Sequence, residues 1–361
     1  MSGRSADTSA PRGSEVYCGD AFDLIGKLPD SSVDLIVTSP PYWCQRVYAG
    51  QEDHNWAIQD AWRREGESLD VAPPYDWYRA NGGMLGLEPT PDWYAAHLAE
   101  WFDRARPVLK PAGNVWVNIG DTYFARWASI RPEGRQGLGD TRRVRRRTPM
   151  GDYRQEKQLL MVPARFAISM QGRRWILRND LIWSKPNVPP RPEKDRLRLA
   201  HEHLFHFVRR PSEGRAAYFY DLNETEPGGR DVVTVNARSG AHGHSATFPP
   251  DLIRPRILSS SPVGGVVLDP FCGTGRALTI AAEYGRTAIG FELAESFAEV
   301  AARGLATAIS TRPDASGWLA SAEPLRGRVV RAADLPRSAT RRRFAGCDAD
   351  SSLSVPDRRS R

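Results

Sequence analysis

Two short segments hold residue types that could act together on a planar amine. Thr38-Ser39-Pro40-Pro41-Tyr42-Trp43 follows the apolar run 33–37. Asp269-Pro270-Phe271-Cys272-Gly273-Thr274-Gly275 follows Val266-Val267-Leu268, more than two hundred residues later. Each reads as a buried strand running into a loop at its carboxyl end, where open α/β sheets build ligand sites. An exocyclic amino nitrogen on a nucleic-acid base shares its lone pair with the ring and is a poor nucleophile. Acceptors on its N–H bonds favour a pyramidal nitrogen and free that lone pair. The Ser39 hydroxyl and the Pro40 carbonyl can supply two. Pro40 and Pro41 fix φ and remove N–H donors that would compete. Tyr42 offers a ring on which an extruded base can stack. The plainer reading of the same residues is a Pro-Pro turn that ends a strand.

The second segment has the character of a cofactor loop. Gly273 and Gly275 let the backbone turn sharply and approach a ligand closely. The helix predicted from Arg276 presents its N-terminus there. Asp269 at the strand end would repel a pyrophosphate and attract an ammonium or sulfonium. Glu292 closes the next strand, where an acidic side chain accepts ribose hydroxyls. A ligand with a ribose, a cationic amino-acid end and no phosphate is S-adenosyl-L-methionine. Otherwise Asp269 only caps a turn and Glu292 is merely exposed. Cys18, Cys44, Cys272 and Cys347 follow Tyr17, Trp43, Phe271 and Gly346, so none forms the Pro-Cys pair of a ring-carbon methylating site. None has metal-ligand spacing, and no metal is expected.

The elements that must position these residues follow from periodicity. Residues 15–18 and 33–38 read as strands around a turn at Gly19-Asp20 and a short helix at 21–28. Thr90-Pro91-Asp92 starts a helix with Thr as cap and Pro at its first position. Tyr94, Leu98, Trp101, Phe102 and Ala105 then recur at helical spacing. Strands are predicted at 114–119, 175–177, 180–183, 203–208, 266–268 and 287–291. Helices are predicted at 159–171, 248–258, 276–284 and 294–306. The domain reading is a disordered arm at 1–14 and one α/β domain at 15–308. A polar, Arg-rich mobile tail follows at 309–361. Two insertions, 44–89 and 125–156, have weak periodicity and read as long loops.

Composition narrows the classes. The chain has 361 residues, enough for one large α/β core with insertions. A net charge of +7 permits a polyanionic partner. Only five of the fifty basic residues are Lys, so Arg dominates, which suits phosphate and guanine contacts. No apolar run approaches membrane-spanning length, and 1–14 has no apolar signal core. A cytoplasmic, reducing location is the expectation.

Further segments complete a pattern. Cys18-Gly19-Asp20 precedes the first motif, and Gly86-Leu87-Glu88-Pro89-Thr90-Pro91 precedes the first long helix. Val115-Trp116-Val117-Asn118-Ile119-Gly120-Asp121 comes next, then Leu177-Arg178-Asn179-Asp180-Leu181-Ile182-Trp183-Ser184-Lys185-Pro186-Asn187. His201-Glu202-His203 and His244-Ser245-Ala246-Thr247-Phe248-Pro249 follow. In this order they resemble the amino-methylating DNA methyltransferases, N4-cytosine and N6-adenine, of the permuted β arrangement, over about residues 15–306. The resemblance implies a Rossmann-like S-adenosylmethionine-dependent methyltransferase fold, with circularly permuted motif order and inserted DNA-recognition segments. It implies catalytic roles for Ser39, Pro40, Pro41 and Tyr42. Asp269, Phe271, Gly273, Gly275 and Glu292 would hold the cofactor, joined by Thr38. Asp20 would lie near its adenine, and His244 and Phe248 near its methionine end. The family often has a small residue and Thr-Thr around the cofactor glycines, where this chain has Cys272, Arg276 and Ala277.

Lys185 is a candidate DNA contact. So is the run Arg142, Arg143, Arg145, Arg146 and Arg147, which could neutralise phosphates. The insertions 44–89 and 125–156 are the candidates for target recognition. The activity implied is site-specific methyl transfer to a flipped base, with N4 of cytosine favoured and N6 of adenine as the alternative. A catalytically silent DNA-binding relative is the alternative of another class. A protein-amide methyltransferase ranks below both, because its family has the opposite motif order. The partners implied are double-stranded DNA and a cognate restriction endonuclease, with the chain a monomer or homodimer.

Overall fold

The computed structural model describes residues 13–43, 55–124, 127–130, 142–145, 157–188, 194–224, 229–237, 249–311 and 329–331. Among them lies one nine-stranded sheet. In chain order its strands are β1 (Glu15–Cys18), β2 (Val33–Thr38), β3 (Leu109–Ile119), β6 (Trp175–Ser184), β7 (His201–Arg209), β8 (Val232–Thr234), β9 (Val266–Asp269), β10 (Thr287–Glu292) and β11 (Val329–Arg331). A separate hairpin holds β4 (Trp127–Ile130) and β5 (Arg142–Arg145). The spatial order is β11-β1-β10-β9-β2-β3-β7-β6-β8. All neighbours are parallel except β7, which runs antiparallel between β3 and β6. β2 and β9 are almost continuous apolar runs, as strands covered on both faces must be.

The helices form a layer on each face. One core packs α1 (Ala21–Leu24), α4 (Pro91–Ala105) and α5 (Val162–Gly172) on the sheet. The other packs α6 (Pro250–Ser260), α7 (Arg276–Glu283) and α8 (Glu295–Ser310). α4 starts as its sequence predicts. The Thr90 hydroxyl accepts from Trp93 N at 3.1 Å, with Pro91 at the first position. Its buried side is aromatic, with Trp93, Tyr94, Trp101 and Phe102 all fully enclosed.

Three expectations change. The insertion 44–89 is not one long loop. Its described part folds as α2 (Asn55–Arg64) and α3 (Tyr75–Ala80), whose Ile58, Trp62, Tyr75 and Tyr78 enter the α4 core. These helices are short, and the Gly- and Pro-containing segment 65–74 between them interrupts the periodicity. The tail is not uniformly without structure, because β11 adds a parallel edge strand to β1, pairing Val16 with Val329. The run at Arg142, Arg143 and Arg145 is not irregular. Its backbone forms a ladder with Trp127–Ile130, which begins just beyond an isolated bridge between Tyr123 and Leu159. Arg146, Arg147, His244, Phe248, Cys44, Cys347 and the arm at 1–12 lie outside the described residues.

Candidate active site

The sheet brings the two motifs side by side. β2 lies between β9 and β3, with Leu35 paired to Val267 and Ile36 to Leu268. From β9 the chain continues to β10 on one side, while β2 lies on the other. The crevice at the carboxyl ends of β9 and β2 is therefore a topological switch point. A hydrogen bond closes it: the fully buried Thr38 hydroxyl donates to Asp269 Oδ1 at 2.7 Å.

On the β9 side the loop holds its own carboxylates. Asp269, 2% exposed, also accepts from Phe271 N at 3.2 Å. Burial, and then the charge of Glu292, raise its carboxyl to about 7, against the pull of Thr38 and the Phe271 N–H. Glu292 ends β10, and its two oxygens accept from Gly273 N and Ala294 N, each at 2.9 Å. It is therefore not the exposed side chain of the plainer reading. Gly275 has φ +78°, and a Cβ there would lie 2.8 Å from Ala301 Cβ on α8. The close approach of the α7 N-terminus to α8 needs that glycine. Phe271 leans on Trp101, with ring centroids 5.7 Å apart. Asp20, at the end of β1, caps α1 through Phe22 N at 2.8 Å and pairs with Arg79 at 3.3 Å. Its carboxylate serves the fold at both oxygens. Cys272 is buried, and burial followed by the Asp269 and Glu292 charges raises its thiol well above the usual range. It is no thiolate nucleophile.

On the β2 side Ser39 is half-buried and Pro40 buried at the mouth of the crevice. The Tyr42 hydroxyl points inward. It donates to Glu202 Oε2 at 2.6 Å and accepts from Asn118 Nδ2 at 2.5 Å. Burial, then the Glu202 charge, raise its phenol well above the usual range, so it stays neutral and donates. Asn118 Nδ2 also reaches Glu202 Oε2 at 2.6 Å, and Lys185 Nζ reaches Glu202 Oε1 at 2.6 Å. Lys185 lies 5.2 Å over the Trp183 ring. It is therefore a member of the network that holds Tyr42. Sequence reasoning gives Asn118 and Glu202 no role. Their signal is their place inside the segments 115–121 and 201–203 that carry the family resemblance.

The folded insertion braces this loop from behind. The Trp43 indole donates to Glu88 O at 2.8 Å. Glu88, fully buried, accepts from Gly86 N at 2.8 Å and meets His97 Nδ1 on α4 at 3.2 Å. His97 Nε2 lies 2.9 Å from Pro73 O. Gly86, at φ +90°, packs on Pro41, where a Cβ would stand 3.2 Å from the proline ring.

The arrangement sets two buried carboxyl groups, Asp269 and Glu292, at neighbouring strand ends, where a ligand with a cationic end would be favoured. Next to them Tyr42, Asn118, Glu202 and Lys185 are fixed by one another. Among the described residues no cluster of His, Cys, Asp and Glu could hold a metal ion, and no helix is long and apolar enough to cross a membrane.

Comparison with known proteins agrees with this geometry. The chain is 34% identical over 299 residues to the type II methyltransferase M.XycI of Xanthomonas campestris pv. cyanopsidis, covering 81% of this chain and 87% of that protein. It is 33% identical to the type II methyltransferase M.Cfr9I of Citrobacter freundii, covering 80% and 86%. Among solved structures, the PvuII DNA methyltransferase (cytosine-N4-specific) shares the fold at a TM-score of 0.55 and 17% identity, over 82% of this chain and 87% of that one. The family model described as DNA methylase, for the N6 and N4 methyltransferases, matches residues 33–303, and the chain belongs to that family of DNA methyltransferases.

Proposed function

We propose that the chain is a site-specific DNA methyltransferase that moves a methyl group from S-adenosyl-L-methionine to the amino nitrogen of a flipped base, N4 of cytosine. The observation that carries this is the Thr38–Asp269 hydrogen bond. It joins the cofactor loop to the amine pocket at one switch point, so a methyl donor in one meets a base in the other. The donor fits the first cleft on the chain's own chemistry. A buried carboxyl held at about 7 gains from a cationic neighbour, and Glu292, at the end of the adjoining strand, sets a second carboxylate where ribose hydroxyls can donate to it. S-adenosylmethionine supplies an electrophilic methyl on a positive sulfur. Phe271 and Gly273 would line the same cleft, with Asp20 beside it; the roles the resemblance implies for His244 and Phe248 fall outside the described residues.

The remaining work falls to the pocket. The Ser39 hydroxyl and Pro40 carbonyl accept the two amine N–H bonds as the nitrogen pyramidalises, a contact that strengthens toward the transition state. The Tyr42 ring stacks on the base. In the family the chain resembles, the Ser-Pro-Pro form leans toward cytosine and occurs with both bases, which is the ground for N4 of cytosine here. The similar type II methyltransferases fit a role in restriction and modification, with a cognate endonuclease as partner and a cytoplasmic place of action. The β4–β5 hairpin, with its basic strand Arg142–Arg145, is the candidate for contact with DNA phosphates.

Single-turnover transfer of labelled methyl to a duplex, followed by nucleoside mass spectrometry, tests the reading. N4-methylcytosine is the expected product. N6-methyladenine would keep the mechanism and change the base, and 5-methylcytosine would overturn both. Cofactor binding with no transfer to any DNA would instead support the silent relative.

A further inference from the structure

We infer that Glu202 is a positioning residue that sets the Tyr42 ring for the incoming base and couples it to Lys185. The inference rests on the reading of Tyr42 as the base platform. Four strands or their ends meet at this carboxylate. Tyr42 follows β2, Asn118 lies in β3, Lys185 follows β6, and Glu202 lies in β7. The two oxygens divide the work. Oε2 accepts from Tyr42 and Asn118, both at 2.6 Å, and Oε1 accepts from Lys185 at 2.6 Å. The Glu202 side chain is 15% exposed and that of Lys185 14%. Water competes weakly there, and each donor is held to one direction.

A ring joined to the chain by two torsions needs such an anchor. The Tyr42 hydroxyl is the far end of the ring, and fixing it fixes the plane on which a base stacks. Glu202 also decides which way the Asn118 amide faces. A flipped amide would set a carbonyl against the carboxylate, so Nδ2 stays inward. Oδ1, buried and without a hydrogen-bond partner among the described residues, is left as the acceptor. The backbone makes room for this cluster at Gly120, between Asn118 and Asp121. A Cβ there would lie 2.9 Å from Tyr42 Cε2 and 3.3 Å from Glu202 Cδ. No positive φ demands glycine at 120, so space is the reason for it.

The test is a double-mutant cycle between Glu202→Ala and Tyr42→Phe in the full chain. The readouts are the single-turnover methyl-transfer rate and the fluorescence of 2-aminopurine at the target position, with calorimetric affinity for S-adenosylmethionine as control. Tyr42→Phe keeps the ring and removes only its anchor. Each single change should slow transfer about ten- to a hundred-fold, the scale of a hydrogen bond to a charged group. Each should lower the extrusion signal, and cofactor affinity should stay within about twofold. The double variant should be no slower than the worse single variant, because both remove the same hydrogen bond. Glu202→Gln keeps an oxygen for Tyr42 but turns an amide toward Lys185, so its loss should match that of Lys185→Met. Gly120→Ala, which presses on both side chains, gives the same readout should Glu202→Ala not fold. Multiplying effects in the cycle, or normal extrusion in Tyr42→Phe and Glu202→Ala, overturn the inference. If Tyr42→Ala itself leaves extrusion and transfer intact, it is the platform reading that fails.

Discussion

Asp269 and Glu292 take main-chain N–H groups from the two turns that follow β9 and β10, at Phe271, Gly273 and Ala294, and Asp269 also accepts from the distant Thr38 hydroxyl. Tyr42 is held by side chains 76 and 160 residues away, at Asn118 and Glu202. The two walls of one crevice are thus made differently. Apart from the Thr38 bond, the cofactor wall is a local device of two strand ends and their turns. The amine wall exists only when four strands lie in the right order. A local device survives most changes elsewhere in the sheet, whereas a converging network depends on every strand that feeds it.

Four experiments sharpen or break that contrast. The largest effect should come from Tyr42→Ala, which removes a stacking surface worth ~1–3 kcal/mol per base, or about five- to a hundred-and-fifty-fold in transfer. Cofactor affinity should hold, since the ring belongs to the other wall, and a matching loss of cofactor binding by calorimetry would erase the division. Asp269→Ala should do the reverse. Removing a charge-assisted interaction of ~1.5–3 kcal/mol should weaken S-adenosylmethionine binding by about ten- to a hundred-fold while the fold persists by circular dichroism.

A smaller effect concerns pH. Asp269 in the free protein keeps its proton up to about 7, and a cationic ligand favours the ionised form. Binding should therefore release a proton, and affinity should rise with pH through that value and then level off. Calorimetry in buffers of different ionisation heat would show the release, and a flat profile from pH 6 to 8 would remove the link between Asp269 and the cationic end. The smallest effect is expected from changing Arg142, Arg143 and Arg145 together to Gln. If their side chains meet phosphates, the slope of log affinity against log salt should flatten by ~0.9 for each phosphate no longer neutralised, on cognate and random duplexes alike. An unchanged slope would leave the hairpin as a solvated ribbon.

The sequence is legible where chemistry and local geometry coincide. Thr90-Pro91 names a helix start, Gly275 a turn that only glycine serves, and the runs ending at Thr38 and Asp269 name buried parallel strands. The amine wall is half legible. Ser39 to Tyr42 carry their chemistry in their types, but Glu202 and Asn118 become partners of Tyr42 only because β3 and β7 lie where they do. Lys185 reads as a surface cation because a single Lys gives no sign of the carboxylate it will meet. The folded insertion is hidden for a related reason. Tyr75 and Trp62 are core residues through contact with α4, and two short helices separated by a Gly- and Pro-containing segment mask that in the periodicity.

The permuted chain order also bears on how the protein is made. β1 has two sheet neighbours, β10 and β11, and both are encoded near the other end of the chain. Ser14 Oγ accepts from Ala288 N across 274 residues. At ~5–20 residues per second on the ribosome, β1 waits roughly 15–55 s for its first partner. Until then both its edges are open to any strand that passes. The β2–β3–β7–β6 ladder pairs residues 33–209 only, so its backbone can register first, while one face waits for α6 and the outer edge of β2 waits for β9. The cofactor side is finished only when the oldest and the newest parts of the chain meet.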